Sequence, residues 1–432
     1  MNIKLKKFFG ISLLVIISLI PVALWFIFGN GLNEFSKSGT HSLGEIFGLV
    51  GMTLFALTFV LSTRIKIIED MFGGLDKVYI IHGITGGIAL ILILAHPIFL
   101  VLRLIPNNLG LAATYLLPGT HWAINFGIIA LTGLIILLFI TLYTKIKYHK
   151  WKIGHEFLGL AFILAVLHIF LVRWTISKDA IFEGYLLYAI AVSSIGILAF
   201  SYSLFLKNRI IKNAIYRIES ITPLRDTFKI ILTPENKPIS YKSGQFIFLR
   251  FYNTNLSKEA HPFSIASKSD NSKIKIIVKK LGDFTENLGK IKPGDKVSIE
   301  GPYGRFGFYS SPEKDQVWIA AGIGITPFLG MAEDLDKGLK KKIELYHTAR
   351  EKEFIGYEFF SNLDLRNFRF IPWDSNKKGR ITIEEIEKMS GNLRNKEFFI
   401  CGPEGFKESL IQNLLKKGIK KENIHEEAFE FR

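Results

Sequence analysis

Residues 82–97 read HGITGGIALILILAHP. Between His82 and His96 every residue except Thr85 is apolar or glycine, so an imidazole stands at each end of a run fit for hydrocarbon. A bilayer core of about 30 Å is crossed by about 20 mostly apolar helical residues. Imidazole is costly there and usually faces the interior of a helix bundle for a reason. Fourteen residues advance a helix by about 21 Å and return to within about 40° of the same face. This stretch therefore predicts one membrane helix carrying two polar groups on one side, at two depths.

Working outward, six segments have the length and hydropathy of spans: roughly 8–29, 43–62, 78–102, 121–143, 154–175 and 183–206. The N-terminal run has a basic start but no clear small-residue cleavage site, so it reads as a first span, not a leader. With a cytoplasmic N-terminus, eleven Lys/Arg of the first 207 residues lie on the inner side. Only four, Lys37, Arg103, Arg173 and Lys178, lie on the outer side. This asymmetry satisfies the positive-inside rule and predicts a multi-pass protein of the cell membrane with both termini cytoplasmic.

The 432 residues leave room for further domains. Residues 1–207 carry 15 Lys/Arg and 8 Asp/Glu, and the rest carry 39 and 30. The second half thus has the charge density of a water-facing domain, with the boundary near Lys207–Lys212. The net charge of +16 comes without a basic stripe interleaved with aromatics, so nucleic acid is not an expected partner. One cysteine, Cys401, excludes disulfides, iron–sulfur clusters and thiolate zinc sites within the chain.

The fifth span carries His155 and His168 and runs in the same direction as the third. Pairing His82 with His155 and His96 with His168 gives two levels, each able to hold one iron between two imidazoles. The angles are less accommodating. Thirteen residues miss a common helix face by about 140°, so the fifth span must be overwound or bent, or its two ligands must be approached from different azimuths.

Here the chain resembles the ferric reductase transmembrane family, which includes the NADPH oxidases. The residues that carry the resemblance are GLDKVYIIHG ending just past His82, LAHP at His96, YHKWKIGHEFLG around His155 and VLH at His168. The resemblance implies two b-type haems held by these four histidines. His41, His121 and His149 fall at span ends or in a loop and fit solvated or interfacial roles.

From about Ala214 the texture changes to short alternating runs such as TFKIILTP and KIKIIVKKL, which predict an antiparallel barrel. HPFSIAS (261–267), GDFTENL (282–288), SGQF (243–246) and GPYGRF (301–306) resemble the ferredoxin–NADP reductase fold. That resemblance implies FAD, met by His261, Pro262, Phe263 and Ser264 at the isoalloxazine. Gly282 and Thr285 would meet the pyrophosphate, where a helix N-terminus favours an anion.

Next, QVWIAAGIGITPFLGMAEDL (316–335) passes from a buried strand through Gly322, Gly324, Ile325, Thr326 and Pro327 into a helix. This is the setting in which glycines mean dinucleotide binding. Strands IELYHTAR, NFRFIPW and EFFICGPEGF extend a parallel α/β sheet. By resemblance, Cys401, Gly402 and Pro403 lie near the nicotinamide ring, and Phe429 (with Phe431 as substitute) covers the flavin face. Arg350, with Arg380 assisting, is placed to pair with a 2′-phosphate, favouring NADPH over NADH.

The expected architecture is a six-helix transmembrane di-haem bundle (1–207), an antiparallel β-barrel FAD domain (208–311) and an α/β nicotinamide domain (312–432). The implied activity takes electrons from NADPH to an acceptor on the outer face. Dioxygen giving superoxide is the favoured acceptor; a ferric chelate, quinone or partner protein is the alternative. Arg103 and Arg173, at the outer ends of the ligand spans, are candidates to pair with haem propionates. No calcium loop of the D-x-D-x-D-G type and no proline-rich tail is present, so no obligatory protein activator is expected. A transporter or scaffold with a redox-sensing flavin half is the rival class, and it predicts no haem.

Overall fold

Among the described residues, six helices of the first half are long and apolar enough to cross a membrane: Phe8–Phe28, Gly39–Ser62, Leu75–Leu102, Trp122–Tyr143, Lys150–Val172 and Leu186–Leu206. In this computed structural model they belong to a unit, Met1–Ile210, that separates from a second, Ile211–Arg432. The expected boundary at 207 falls three residues short of this division. The structure describes residues 3–28, 31–144, 146, 148–175, 183–207, 214–252, 256, 259–270, 272–310, 314–350 and 354–427.

The helices of the first unit are α1 (Ile3–Phe28), α2 (Gly31–Lys37), α3 (Gly39–Ser62), α4 (Lys66–Phe72), α5 (Leu75–Leu102), α6 (Leu109–Leu116), α7 (Trp122–Tyr143), α8 (Tyr148–Glu156), α9 (Leu158–Thr175) and α10 (Glu183–Ser201). Between apolar helices in lipid there is little hydrophobic drive, so close approach of backbones decides packing. Glycines provide it. A Cβ on Gly44, Gly48 or Gly51 of α3 would lie 2.9, 2.6 or 2.8 Å from Leu100, His96 or Ile93 of α5. Gly159 and Gly196 similarly admit the rings of Phe200 and Phe162 between α9 and α10. A core of Phe55, Phe162, Leu158 and Ala56 fills the centre.

The fifth span is not one helix. It breaks at Phe157 between α8 and α9. Around the break the Leu160 N–H donates three residues back to the Phe157 carbonyl at 3.0 Å. Such a tightened turn shifts the azimuth of what lies beyond it, and His155 faces His82 while His168 faces His96.

In the second unit, alternation of buried and exposed residues builds β1 (Ala214–Leu224), β2 (Thr227–Pro234), β3 (Phe246–Phe251), β4 (His261–Ser264), β5 (Ile274–Lys279) and β6 (Lys296–Tyr303). They form a curled antiparallel sheet in the order β4-β3-β6-β1-β2-β5. Just past the β4 edge, the Ala266 N–H donates to the Lys275 carbonyl of β5 at 2.8 Å, bringing the two edges together. A one-turn helix, α11 (Asp283–Glu286), precedes β6.

The remainder is β7 (Gln316–Ala321), α12 (Thr326–Glu333), β8 (Ile343–Ala349), α13 (Tyr357–Ser361), β9 (Phe368–Asp374), α14 (Ser375–Lys378), α15 (Ile383–Ser390), β10 (Glu397–Cys401), α16 (Glu404–Lys416) and β11 (Ile424–Glu426). All five strands are parallel, in the order β11-β10-β7-β8-β9. The chain starts in the middle of this sheet and winds both ways, so a crevice opens where β7 and β10 diverge at their carboxyl ends. One apolar cluster joins Ala266 and Phe306 of the curled-sheet part to Trp318, Phe328 and Cys401 of the parallel-sheet part. The two sheets of this unit therefore share a core.

Candidate functional site

The four span histidines meet in two pairs. Ring centres of His82 and His155 lie 6.0 Å apart at an interplanar angle of 62°. Those of His96 and His168 lie 6.4 Å apart at 75°. His82 Nδ1 is 3.0 Å from the Thr58 carbonyl, His96 Nδ1 2.8 Å from the Gly44 carbonyl and His168 Nδ1 2.7 Å from the Ala123 carbonyl. A carbonyl only accepts, so each of these Nδ1 atoms carries the proton and Nε2 keeps its lone pair. Metal-ligating imidazoles are oriented in this way.

These residues fit a bis-imidazole iron. Two metal–nitrogen bonds of about 2 Å, with about 1 Å from each nitrogen to its ring centre, place ring centres about 6 Å apart. No group of three or more His, Cys, Asp or Glu side chains able to hold a metal occurs among the described residues. The donor set is thus two imidazoles per level and no carboxylate, as an iron already held by a macrocycle requires. Glycines make room for the rings: a Cβ on Gly48 would lie 2.6 Å from His96 Nδ1, and one on Gly127 2.7 Å from His168 Nδ1. His155 differs. Its Nδ1 is buried without a hydrogen-bond partner, and its ring stacks on Trp151 at 5.3 Å and 9°. Trp151 is itself anchored by Nε1–H donating to the Thr141 carbonyl at 3.0 Å.

In the second unit, HPFS forms β4 and pairs with β3 so that Ser264 stands opposite Phe246 and His261 opposite Leu249. The Ser264 hydroxyl oxygen is buried without a partner, a cost of about 1–3 kcal/mol that a bound polar edge would remove. His261 stacks on Phe284 at 3.7 Å. The SGQF and GPYGRF turns interlock. Gly244, at φ +85°, would drive a Cβ to 2.0 Å from the Phe306 carbonyl oxygen, and Gln245 Nε2 donates to the Gly304 carbonyl at 3.1 Å. A Cβ on Gly304 would meet the Phe246 ring at 3.0 Å and Glu427 Oε1 at 3.6 Å.

The glycine turn Gly322–Ile325 lies at the carboxyl end of β7, and Cys401 ends β10 beside it. Gly324 would place a Cβ 2.4 Å from the Cys401 carbonyl oxygen, and Gly330 one 2.8 Å from the Ser267 carbonyl oxygen. Only hydrogen fits at either position. The segment after β4 thus packs directly on α12, and the glycine turn on the end of β10. Cys401 is fully buried. Burial first, then the nearby Glu427 carboxylate, pushes its thiol well above the ordinary range, with Lys407 opposing. Arg350 follows β8 and is exposed, two residues past the Thr348–Ala321 pair.

The ferric reductase like transmembrane component matches residues 47–166, and an FAD-binding domain matches residues 211–306. The chain is an oxidoreductase that joins a ferric reductase-like membrane part to an FAD-binding part. The reductase is 28% identical over 48% of its length to the phenol hydroxylase P5 protein of Acinetobacter pittii, covering 63% of that protein. It is 25% identical over 47% of its length to the flavohemoprotein of Vibrio cholerae, covering 55% of it. The chain thus spans between about half and two thirds of the length of these curated relatives. Among solved structures, flavohemoglobin from Malassezia yamatoensis, with bound FAD and heme, aligns at TM-score 0.50 and 18% identity over 91% of the reductase and 97% of that chain. That likeness is one of fold alone.

Of the sequence-predicted residues, His82, His96, His155 and His168 are brought together in pairs. Gly322, Gly324, Cys401 and Gly402 lie together at the carboxyl ends of β7 and β10, and Ser264 stands opposite Phe246 in β4. The Thr285 hydroxyl accepts from the Leu281 N–H and donates to the Leu281 carbonyl, both at 2.7 Å, and so closes its own short turn. Phe429 and Phe431 lie outside the described residues, as does the side chain of Arg173. Sequence reading missed Gly48 and Gly127, which the small-xxx-small spacing Gly44–Gly48 could have signalled. It also missed Glu427 and His347, for which no local pattern exists.

Proposed function

We propose that this reductase performs transmembrane electron transfer from cytoplasmic NADPH to an acceptor on the outer face, with FAD and two b-type haems as resident cofactors. Dioxygen, giving superoxide, is the favoured acceptor. The observation that carries the reading is the two facing imidazole pairs with ring centres 6.0 and 6.4 Å apart. Two such pairs on two spans have no economical structural purpose, since a buried imidazole in lipid costs free energy wherever it is not used.

The cofactors supply the redox chemistry: a flavin takes two electrons as hydride and releases them singly, which haem iron requires. The chain supplies placement. His82 and His155 hold one iron, and His96 and His168 the other. Ser264 offers a hydroxyl to the flavin edge. The first-turn amides of Gly322–Ile325 and α12 receive the dinucleotide pyrophosphate, and Arg350 pairs with the 2′-phosphate. Gly324 and Gly402, by lacking side chains, let the glycine turn and the end of β7 pack directly on the end of β10. Orientation rests on the eleven inner-side against four outer-side basic residues of the first half.

A reduced-minus-oxidised visible spectrum of the purified chain is expected to show two b-type haems. Replacing His82 and His155 together by Ala should remove one of them, and the His96/His168 pair the other. A chain colourless in the Soret region sinks the reading. Dismutase-sensitive reduction of a superoxide probe, measured beside ferric-chelate and quinone reduction, decides the acceptor.

A further inference from the structure

His347 is a fully buried imidazole in β8. It continues the row Ile343, Leu345, His347 on one face of the parallel sheet, and the first two belong to the apolar cluster there. An aliphatic side chain would continue that row equally well. Imidazole does worse as a filler, because its Nδ1 is buried without a hydrogen-bond partner, and an unsatisfied buried acceptor is destabilising. Its other nitrogen is used: Nε2 lies 3.1 Å from the carbonyl oxygen of Gly322. Since a carbonyl only accepts, Nε2 carries the proton and donates.

Gly322 opens the turn at the crevice and has φ +54°. In a planar trans peptide the C=O of one residue and the N–H of the next point in opposite directions. Holding the Gly322 carbonyl inward against β8 therefore aims the Ile323 N–H away from β8. Ile323 is the second residue of the Gly322–Ile325 turn, where amides are left unused by the helix that follows. The ring of His347 also meets Phe354 edge-on, with centres 5.2 Å apart, so the same side chain touches the segment beyond Arg350.

We infer that His347 is a positioning residue for the dinucleotide: its Nε2–H locks the Gly322 peptide so that the turn amides face the pyrophosphate. This rests on the nicotinamide reading of the crevice. His347 touches neither cofactor nor reacting atoms, so it governs affinity and not the rate of hydride transfer.

The test uses the full-length protein loaded with FAD, with H347F and H347Q as variants. NADP+ affinity is measured by calorimetry, and NADPH-driven flavin bleaching by anaerobic stopped flow, which separates the dissociation constant from the limiting rate. Removing one buried donor predicts a dissociation constant about tenfold higher in H347F, with the limiting rate within about twofold of the parent. H347Q, whose amide can still donate to Gly322, should recover most of the affinity. Equal affinity in H347F, a limiting rate that falls as far as the affinity does, or H347Q binding tenfold weaker than the parent each overturns the inference. Should H347F fail to retain FAD, H347Q against the parent still decides it. If the parent itself binds no NADP(H), the nicotinamide reading falls, which is a different result from a parent that binds and a variant that binds equally.

Discussion

His155 is the least supported of the four imidazoles. The other three have Nδ1 fixed on a backbone carbonyl, whereas His155 Nδ1 has no hydrogen-bond partner and its ring stacks on Trp151. Partners of a ligating imidazole typically govern metal affinity by 10–100-fold. Trp151→Ala should therefore release the iron of the His82/His155 level first, lowering haem absorbance by up to half while the other level persists on titration of the spectrum. A second residue-scale consequence concerns pH. Burial, partly offset by the Gly322 carbonyl, lowers the His347 imidazole to about 4. The unfolded chain binds this proton near pH 6.5 and the folded chain does not, so stability is complete above 6.5 and is lost as pH falls toward 4. The loss amounts to about 3 kcal/mol across that window. The midpoint of thermal release of FAD, read by flavin fluorescence, should fall between pH 7 and pH 5, and H347Q should flatten that slope.

At the scale of elements, α3 and α7 act as backing plates for the imidazoles of His82, His96 and His168 on α5 and α9. Their glycines do this by absence of side chains. Gly48→Ala and Gly127→Ala each place a carbon within 2.6–2.7 Å of a ligand ring nitrogen, a distance that forces the imidazole aside. Either change should abolish the His96/His168 level, halving the haem spectrum, while flavin content stays at the parent level. Gly324→Ala acts in the other unit, where the new methyl would meet the Cys401 carbonyl at 2.4 Å. There the expected outcome is retained FAD with NADPH-driven flavin reduction slowed at least about tenfold, a 1.4 kcal/mol effect on the barrier, measured by the rate of flavin bleaching. The break at Phe157 belongs to this scale too. The sequence asked for overwinding, a bend or a difference of azimuth between His155 and His168, but a stretch reading EFLGLAF contains no proline and gives no reason to choose one residue over its neighbours.

For the whole molecule, the positive-inside count predicts sidedness. NADPH does not cross membranes, so in sealed vesicles of known orientation flavin reduction should occur only when NADPH is added to the cytoplasmic face. The acceptor should react only from the opposite side. Reduction by NADPH from either face would refute the orientation.

The sequence by itself determined the two textures, continuous apolar runs and short alternating ones, because each period buries its apolar residues only as a membrane helix or as a strand. It also determined which imidazoles could pair, since helical rise converts residue spacing into depth without reference to any neighbour. Only the tertiary structure decided what holds those imidazoles in place. Thr58, Gly44 and Ala123 act through backbone carbonyls, which every residue possesses and no sequence pattern marks. The same holds for His347 on Gly322, and for Glu427, which closes against Gly304 and Cys401 from residues more than a hundred and twenty and twenty-five positions away. Contacts between distant segments follow from how the elements pack, and packing is settled by the summed fit of many side chains, not by any one motif.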